Sequence, residues 1–215
     1  MYMKKTNRFL PIALLLLTGI IFLTQCKKSD NGDTPQPDTF PTPIRSFISQ
    51  SMVDSLRRAG ATIYSGVTPP IVNGIYYMHP DSCIYDNSGG GFTGTLFADY
   101  KFKFYNQDNT AFTLNVDQKN TSSGALNPTP AAVYISGNGS SFSVFVLRTI
   151  TPGGISVEQY NVLSGTLTAN GIQNFQNVLY VRKKGSDPTG SYPPAGTIRV
   201  FVTGAPGLAT VSTTF

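Results

Sequence analysis

The sequence predicts an all-β fold, and three observations carry that expectation. Apolar and polar residues alternate with period two over long stretches, the mark of strands with one buried and one wet face. Charged residues make up only 13% of the chain and Glu occurs once, at Glu158, so the charged surface that exposed helices require is scarce. Glycine (21) and proline (15) punctuate the apolar runs, and Phe (14) and Tyr (11) replace the absent Trp.

The N-terminal stretch has a different character. Lys4, Lys5 and Arg8 precede an almost wholly apolar run from Phe9 to Leu23. That run is shorter than the roughly 20 residues a transmembrane helix needs, and it has the anatomy of a secretory signal peptide. Leu23-Thr24-Gln25-Cys26 resembles the lipobox of bacterial lipoproteins, with Gln25 where a small residue is usual. The resemblance implies a signal peptide over residues 1–25, lipidation of Cys26, and a protein held to a membrane by its N-terminal lipid. Two or more acyl chains anchor stably where one holds only marginally. Lys27, in place of the aspartate that signals inner-membrane retention, implies delivery to the outer membrane, on its periplasmic face or the cell surface. Residues 26–41 contain Pro35, Pro37 and Pro41 among small polar residues, a composition with little to bury that predicts a flexible linker.

One amphipathic helix is predicted over residues 42–60. Thr42 serves as N-cap and Pro43 as first helical residue. Ile44, Phe47, Ile48, Met52 and Leu56 form one apolar face, and Gly60 is the stop.

Residues 61–215 form the predicted β-domain. Leu96, Ala98, Tyr100, Phe102 and Phe104 alternate with Asp99, Lys101 and Lys103, and Phe112, Leu114 and Val116 alternate with Thr113, Asn115 and Asp117. Further strands are expected near residues 73–78, 131–136, 142–149, 155–168, 173–182, 197–203 and 208–213. Asn138-Gly139, Pro152-Gly153-Gly154, Asn170-Gly171 and Ala205-Pro206-Gly207 supply turns between them. About eight strands joined by short turns make an up-and-down meander, which closes into a barrel or folds into a sandwich; closure removes exposed edges.

Asn73-Gly74-Ile75-Tyr76-Tyr77 resembles the Gly-x-Trp motif that opens the barrel of lipocalins and other calycins, with Tyr76 in place of Trp. Together with the tail after Cys26, it resembles Bacteroidota outer-membrane lipoproteins carrying a lipocalin-like domain. The resemblance implies an antiparallel β-barrel in which Gly74, Tyr76 and a late-strand arginine form the fold motif. Arg199 is the expected arginine and Arg182 the alternate.

Chemistry-bearing motifs are few. Behind Cys26 the chain carries thirteen basic and eleven acidic residues, a balance without the basic stripe that nucleic acid requires. His79 and Cys83 flank Pro80, and the solitary histidine argues against a metal centre. These residues read as a turn and a small buried thiol. The stretch from Asn87 to Gly94 is glycine-rich but lacks the Gly-Lys-Ser/Thr ending of a phosphate loop, and no Gly-x-Ser-x-Gly elbow occurs. The expectation is a non-enzymatic envelope lipoprotein with no cofactor. Its inward set, Leu96, Tyr100, Phe102, Phe104, Phe112 and Leu114, lines a cavity for a small apolar ligand or fills it. The alternative is a structural lipoprotein docking on an envelope complex or surface glycan.

Overall fold

The computed structural model describes residues 38–215. The expected signal peptide, Cys26 and most of the linker lie outside the described residues.

The expected helix is two helices, α1 (Thr42–Phe47) and α2 (Gln50–Arg58). Pro41, not Thr42, is the N-cap of α1. Ile48 is extended, and the Ser49 hydroxyl accepts from the Met52 amide to start α2 afresh. A β-branched residue followed by a serine able to cap breaks the periodic face without destroying it. The folded body also begins earlier than residue 42. Asp38 pairs with Arg57 at 2.6 Å, and Phe40 packs edge-on against Phe145. Burial raises the Asp38 pKa, but hydrogen bonds from Arg57 and Gln50 outweigh it and hold the carboxyl below its usual range.

The strands are β1 (Val67–Thr68), β2 (Gly74–Met78), β3 (Asp81–Asp86), β4 (Leu96–Phe97), β5 (Tyr100–Asp108), β6 (Thr113–Asn120), β7 (Ala132–Asn138), β8 (Ser141–Ile150), β9 (Val157–Thr168), β10 (Gly171–Lys184), β11 (Ile198–Thr203) and β12 (Leu208–Val211). They form one sheet in the order β12-β2-β5-β6-β7-β8-β9-β10-β11-β3-β4. Every pairing is antiparallel except that of β1, which runs parallel along β7. The expected turns join β7 to β8, β8 to β9, β9 to β10 and β11 to β12. β3 is a strand where the sequence suggested only a turn, because Ser82, Cys83 and Tyr85 find pairing partners on β11 that local sequence does not reveal.

β10 gives the sheet its shape. Its N-terminal end, Gly171–Gln173, pairs with β12, whereas Gln176–Tyr180 pair with β11. Between them Asn174 adopts φ 53° and the register against β9 slips, a bulge that turns the strand and re-aims its edge. β12 pairs in turn with β2. The pairings thus run from β2 through β5–β10 and back through β12, while β11, β3 and β4 branch away.

The two faces of the sheet bury different things. On the inner face Tyr76, Phe102, Phe104, Leu114, Val116, Phe142, Val144, Val146, Leu163 and Phe175 form one apolar cluster. On the outer face Phe145, Val162, Val178 and Val200 pack under Phe40, Ile44, Val53, Leu56 and Ile63. Strand periodicity sends Val144 and Val146 to one cluster and Phe145 to the other, so the helices cover the sheet from outside and take no part in the inner core.

Candidate functional site: a polar recess at one end of the inner face

The inner face changes character along its strands. At one end aromatic rings pack on one another: Phe102 lies 5.2 Å from Phe175 and Phe104 lies 6.4 Å from Phe142, centroid to centroid, both edge-on. That end is filled by side chains. Toward the other end the same phase of each strand turns polar. On β8, Val144 and Val146 are followed by Arg148; on β9, Leu163 is preceded by Asn161 and Gln159; on β6, Leu114 and Val116 give way to Gln118.

Gln118, Gln159 and Asn161, but not Arg148, join Asp81, Tyr100, Asn177, Tyr192 and Arg199 in the walls of a recess of about 200 Å³. Phe97, Ile150, Leu179 and Phe201 supply its apolar surface. A chain of hydrogen bonds crosses it. The Tyr192 hydroxyl donates to Gln159 Oε1 at 3.1 Å, Gln159 Nε2 donates to Asn161 Oδ1 at 3.0 Å, and Asn161 Nδ2 donates to Asn177 Oδ1 at 3.0 Å. Tyr192 reaches in from the loop after β10, which Asp187 organises. Its carboxylate accepts the amides of Ser191 and Tyr192 and pairs with Lys184 at 3.0 Å. Those two amides foremost, with Lys184, hold the Asp187 pKa far below the usual carboxylate range.

Three groups in this region lack hydrogen-bond partners among the described residues. Gln118 is 4% exposed and its Oε1 accepts nothing; Asp81 Oδ1 is likewise unpaired. Burial, reinforced by the nearby Asp99 charge, raises the Asp81 pKa to about 7. Arg148 is 1% exposed, yet none of its three guanidinium nitrogens finds an acceptor. Burial lowers its pKa to about 10, so it stays charged at neutral pH. Arg148 stands opposite Gln159 in the β8–β9 register, and both Gln159 and Ile150, two residues along on its own face, line the recess.

A wider, more open depression of about 440 Å³ lies alongside, with Tyr192 and Arg199 contributing to both. Its charged group, Arg199, is already committed. Nε donates to Asp86 at 3.1 Å, and the guanidinium sits 4.5 Å from the Phe92 ring centroid. Burial raises the Asp86 pKa, but the Ser88 and Arg199 hydrogen bonds outweigh it and keep that carboxyl below its usual range. Asp86 also accepts the amides of Ser88 and Phe92, so the glycine-rich segment is a loop folded on a carboxylate.

The structure sorts the residues expected from sequence. Phe102, Phe104 and Leu114 are inward and buried in the filled apolar end, and Tyr100 lines the recess. Leu96 does not belong with them. It is 65% exposed, and Phe97 takes the inward place, because β4 and β5 are separate strands and the alternation loses phase at Ala98–Asp99. Phe112 is also not a strand residue: it sits at φ 57° before β6, and its carbonyl accepts the Ile135 amide. In the expected fold motif, Tyr76 is buried with its hydroxyl folded back over Gly74, close enough to crowd a side chain there. Arg199 does not cover Tyr76. β11 pairs with β3 while β2 pairs with β5 and β12, so Arg199 meets Phe92 and Phe97, and Tyr76 meets Phe104. Arg182, the alternate, lies 5.8 Å over Tyr160.

His79 Nδ1 lies 2.6 Å from Asp99 and its ring stacks on Tyr77. The Cys83 thiol donates to the Tyr85 carbonyl, and burial raises its pKa, the opposite of what a nucleophilic thiolate needs. Among the described residues no His, Cys, Asp and Glu cluster is placed to hold a metal ion.

Sequence reasoning missed Arg148, Gln118, Gln159, Asn161 and Asn177. A signal was present: each is a polar residue occupying the apolar phase of a strand. Compared with known proteins, the chain matches no family model, no curated sequence and no solved structure.

Proposed function

We propose that this chain is a lipid-anchored, non-enzymatic envelope protein whose sheet closes as a lipocalin-like β-barrel and binds a small polar molecule in the recess at one end. Pairing of β12 with both β10 and β2 supports the barrel. The leader and Cys26 support the anchor and the outer-membrane location.

The observation that carries the binding reading is the conversion of the inward phase from packed aromatics to a recess walled by amide side chains, with the partnerless Gln118 Oε1 and Asp81 Oδ1 on two of its wall residues. Stable interiors satisfy their buried polar atoms. Two unsatisfied ones in the walls of one hollow mark a place where another molecule supplies the partners. The expected apolar ligand suits the recess less well, since the apolar end of the inner face is occupied by Phe102, Phe104, Phe142 and Phe175.

A thermal-shift screen of the purified protein tests the binding reading, using neutral sugars, amino acids, small carboxylates and fatty acids. Stabilisation by small polar compounds, lost in Asn161→Leu, supports it. Stabilisation by fatty acids alone, insensitive to Asn161→Leu, overturns it, as does the absence of any stabilising compound. Incorporation of labelled palmitate by the wild type and its loss in Cys26→Ser test the anchor.

A further inference from the structure

The hydrogen bonds that cross the recess leave part of its wall unspent. Gln159 and Asn161 commit both their amide oxygen and their amide nitrogen along the chain that starts at the Tyr192 hydroxyl. The chain ends on Asn177 Oδ1, and Asn177 Nδ2 finds no acceptor among the described residues. That nitrogen is open, whereas Gln118 Oε1 and Asp81 Oδ1 are partnerless and sealed from the surface. Gln118 Nε2, Asp81 Oδ2 and the Tyr100 hydroxyl share its condition: no described residue bonds them, yet they are not sealed. Asn177, Gln118 and Asp81 are only 5%, 4% and 2% exposed and all three line the recess, so the little surface they keep is recess wall.

Rings stand beside these groups. Asn177 is directly opposite Phe201 in the β10–β11 ladder, and Asp81 is opposite Phe97 in the β3–β4 ladder. Phe97 and Phe201 meet edge-on at 5.1 Å. The wall offers no uncommitted cation. Arg199 is held by Asp86 and Ser88 at 3.1 and 3.3 Å, and Arg148 does not line the recess. The Asp81 carboxyl, its pKa raised to about 7 by burial and by Asp99, is neutral below that pH and then both donates and accepts, as an amide does.

We propose that the recess binds a neutral monosaccharide, its hydroxyls hydrogen-bonded to Asn177, Gln118, Asp81 and Tyr100 and its C–H face set against the Phe97–Phe201 pair. This rests on the reading of the recess as a ligand site and adds the ligand's class. The open groups lie on β10, β6, β3 and β5 and mix donors with acceptors. A hydroxyl is both donor and acceptor. A sugar carries several hydroxyls on one rigid ring, so it reaches several strands at once with little internal freedom to lose. A carboxylate ligand would be taken out of water without a cation to meet it. An ammonium ligand would answer Asp81 but turn its own donors toward the donors of Asn177 and Gln118. The volume of about 200 Å³, below the ~300–1,000 Å³ of sites for larger ligands, suits a single ring.

The test titrates the purified protein with D-glucose, D-galactose, D-mannose and N-acetyl-D-glucosamine, and with the charged sugars D-glucuronate, D-galacturonate and D-glucosamine. Affinity is read by calorimetry, and contact by the side-chain amide resonances of Asn177 and Gln118 in NMR. At least one neutral sugar is expected to shift those resonances and to bind about tenfold or more tightly than any charged one. Asn177→Asp keeps the Oδ1 acceptor for Asn161 and removes the open donor, and is expected to weaken that sugar about tenfold. Tyr100→Phe removes a hydroxyl that bonds no described residue, so the ligand-free variant should melt with wild type while the sugar binds about two- to tenfold more weakly. That pair of readings separates a ligand contact from a loss of fold. If the charged sugars bind as well as the neutral ones or better, the neutral class is wrong although the recess still binds ligands. If a neutral sugar binds without moving the amide resonances and survives both substitutions, it sits elsewhere and the inference is overturned. If no sugar binds, the inference is overturned too, and hits in the wider screen then decide whether the recess reading falls with it.

Discussion

Tyr192 donates its hydroxyl to Gln159 Oε1 across 3.1 Å, joining the loop after β10 to the wall of the recess. Through Gln159 the same contact reaches Asn161 and Asn177, so one loop residue orients a row of amides on β9 and β10. Networks of this kind fix side-chain direction more firmly than isolated pairs do.

Tyr192→Phe removes that hydroxyl and leaves a buried amide oxygen without its donor. The expected loss is about 1–3 kcal/mol, read by urea denaturation, with faster hydrogen exchange over residues 186–196. Unchanged exchange in that segment counts against a loop held by this contact.

Phe102 is fully buried and lies edge-on to Phe175 in the filled end of the inner face. Phe102→Ala should cost about 3–5 kcal/mol, as truncations of packed aromatics do. A loss well under 2 kcal/mol, roughly the transfer value of a side chain that collapses freely, would show instead that this end of the sheet is loosely packed.

Asp81 gives the protein an unusual pH profile. Its folded pKa, raised to about 7, lies above the unfolded value, so the folded state holds the proton more tightly. The corresponding stability is fully present below about pH 4, declines as pH rises through the interval to about 7, and is lost above it. Asp81→Asn should flatten that decline and make the protein more stable than wild type at pH 8. The gain is about 1.4 kcal/mol for every tenfold by which folding tightens proton binding at Asp81. Parallel pH–stability curves for the two proteins would refute the assignment.

Gly171 adopts φ +141° beside the Ala209 carbonyl, where a Cβ would collide with β12 backbone. Gly171→Ala should therefore push β12 off β10 and open the link to β2. Faster exchange of the Thr210 and Val211 amides, with β8–β9 protection retained, is the expected signature. Unaltered β12 protection would show that the strand relaxes around the methyl group.

Much of the architecture was legible in local sequence. Alternation such as Tyr100, Phe102 and Phe104 against Lys101 and Lys103 marks a strand with a buried face, and Asn138-Gly139 or Asn170-Gly171 marks a turn, because both depend on neighbouring residues alone. The break at Ile48–Ser49 and the exposure of Leu96 escape period counting for one reason: it assumes unbroken phase, and a cap or a two-residue gap resets it. Legibility ended at the recess. Period two says that Arg148 and Gln159 face inward, but not what stands across from them.

An all-β domain with an amphipathic helical segment before it follows from the amino-acid order alone, since strand, turn and helix signals are local. Long-range pairing sets the rest: the Asn174 bulge splits one edge of β10 between β12 and β11, and aromatics fill one end of the inner face. The same pairing leaves Gln118 Oε1 and Asp81 Oδ1 at the other end, and the Arg148 guanidinium on β8, without hydrogen-bond partners among the described residues. Those outcomes depend on register between strands far apart in the chain, where each side chain's partner is set by how the ladder slips and not by its neighbours in sequence.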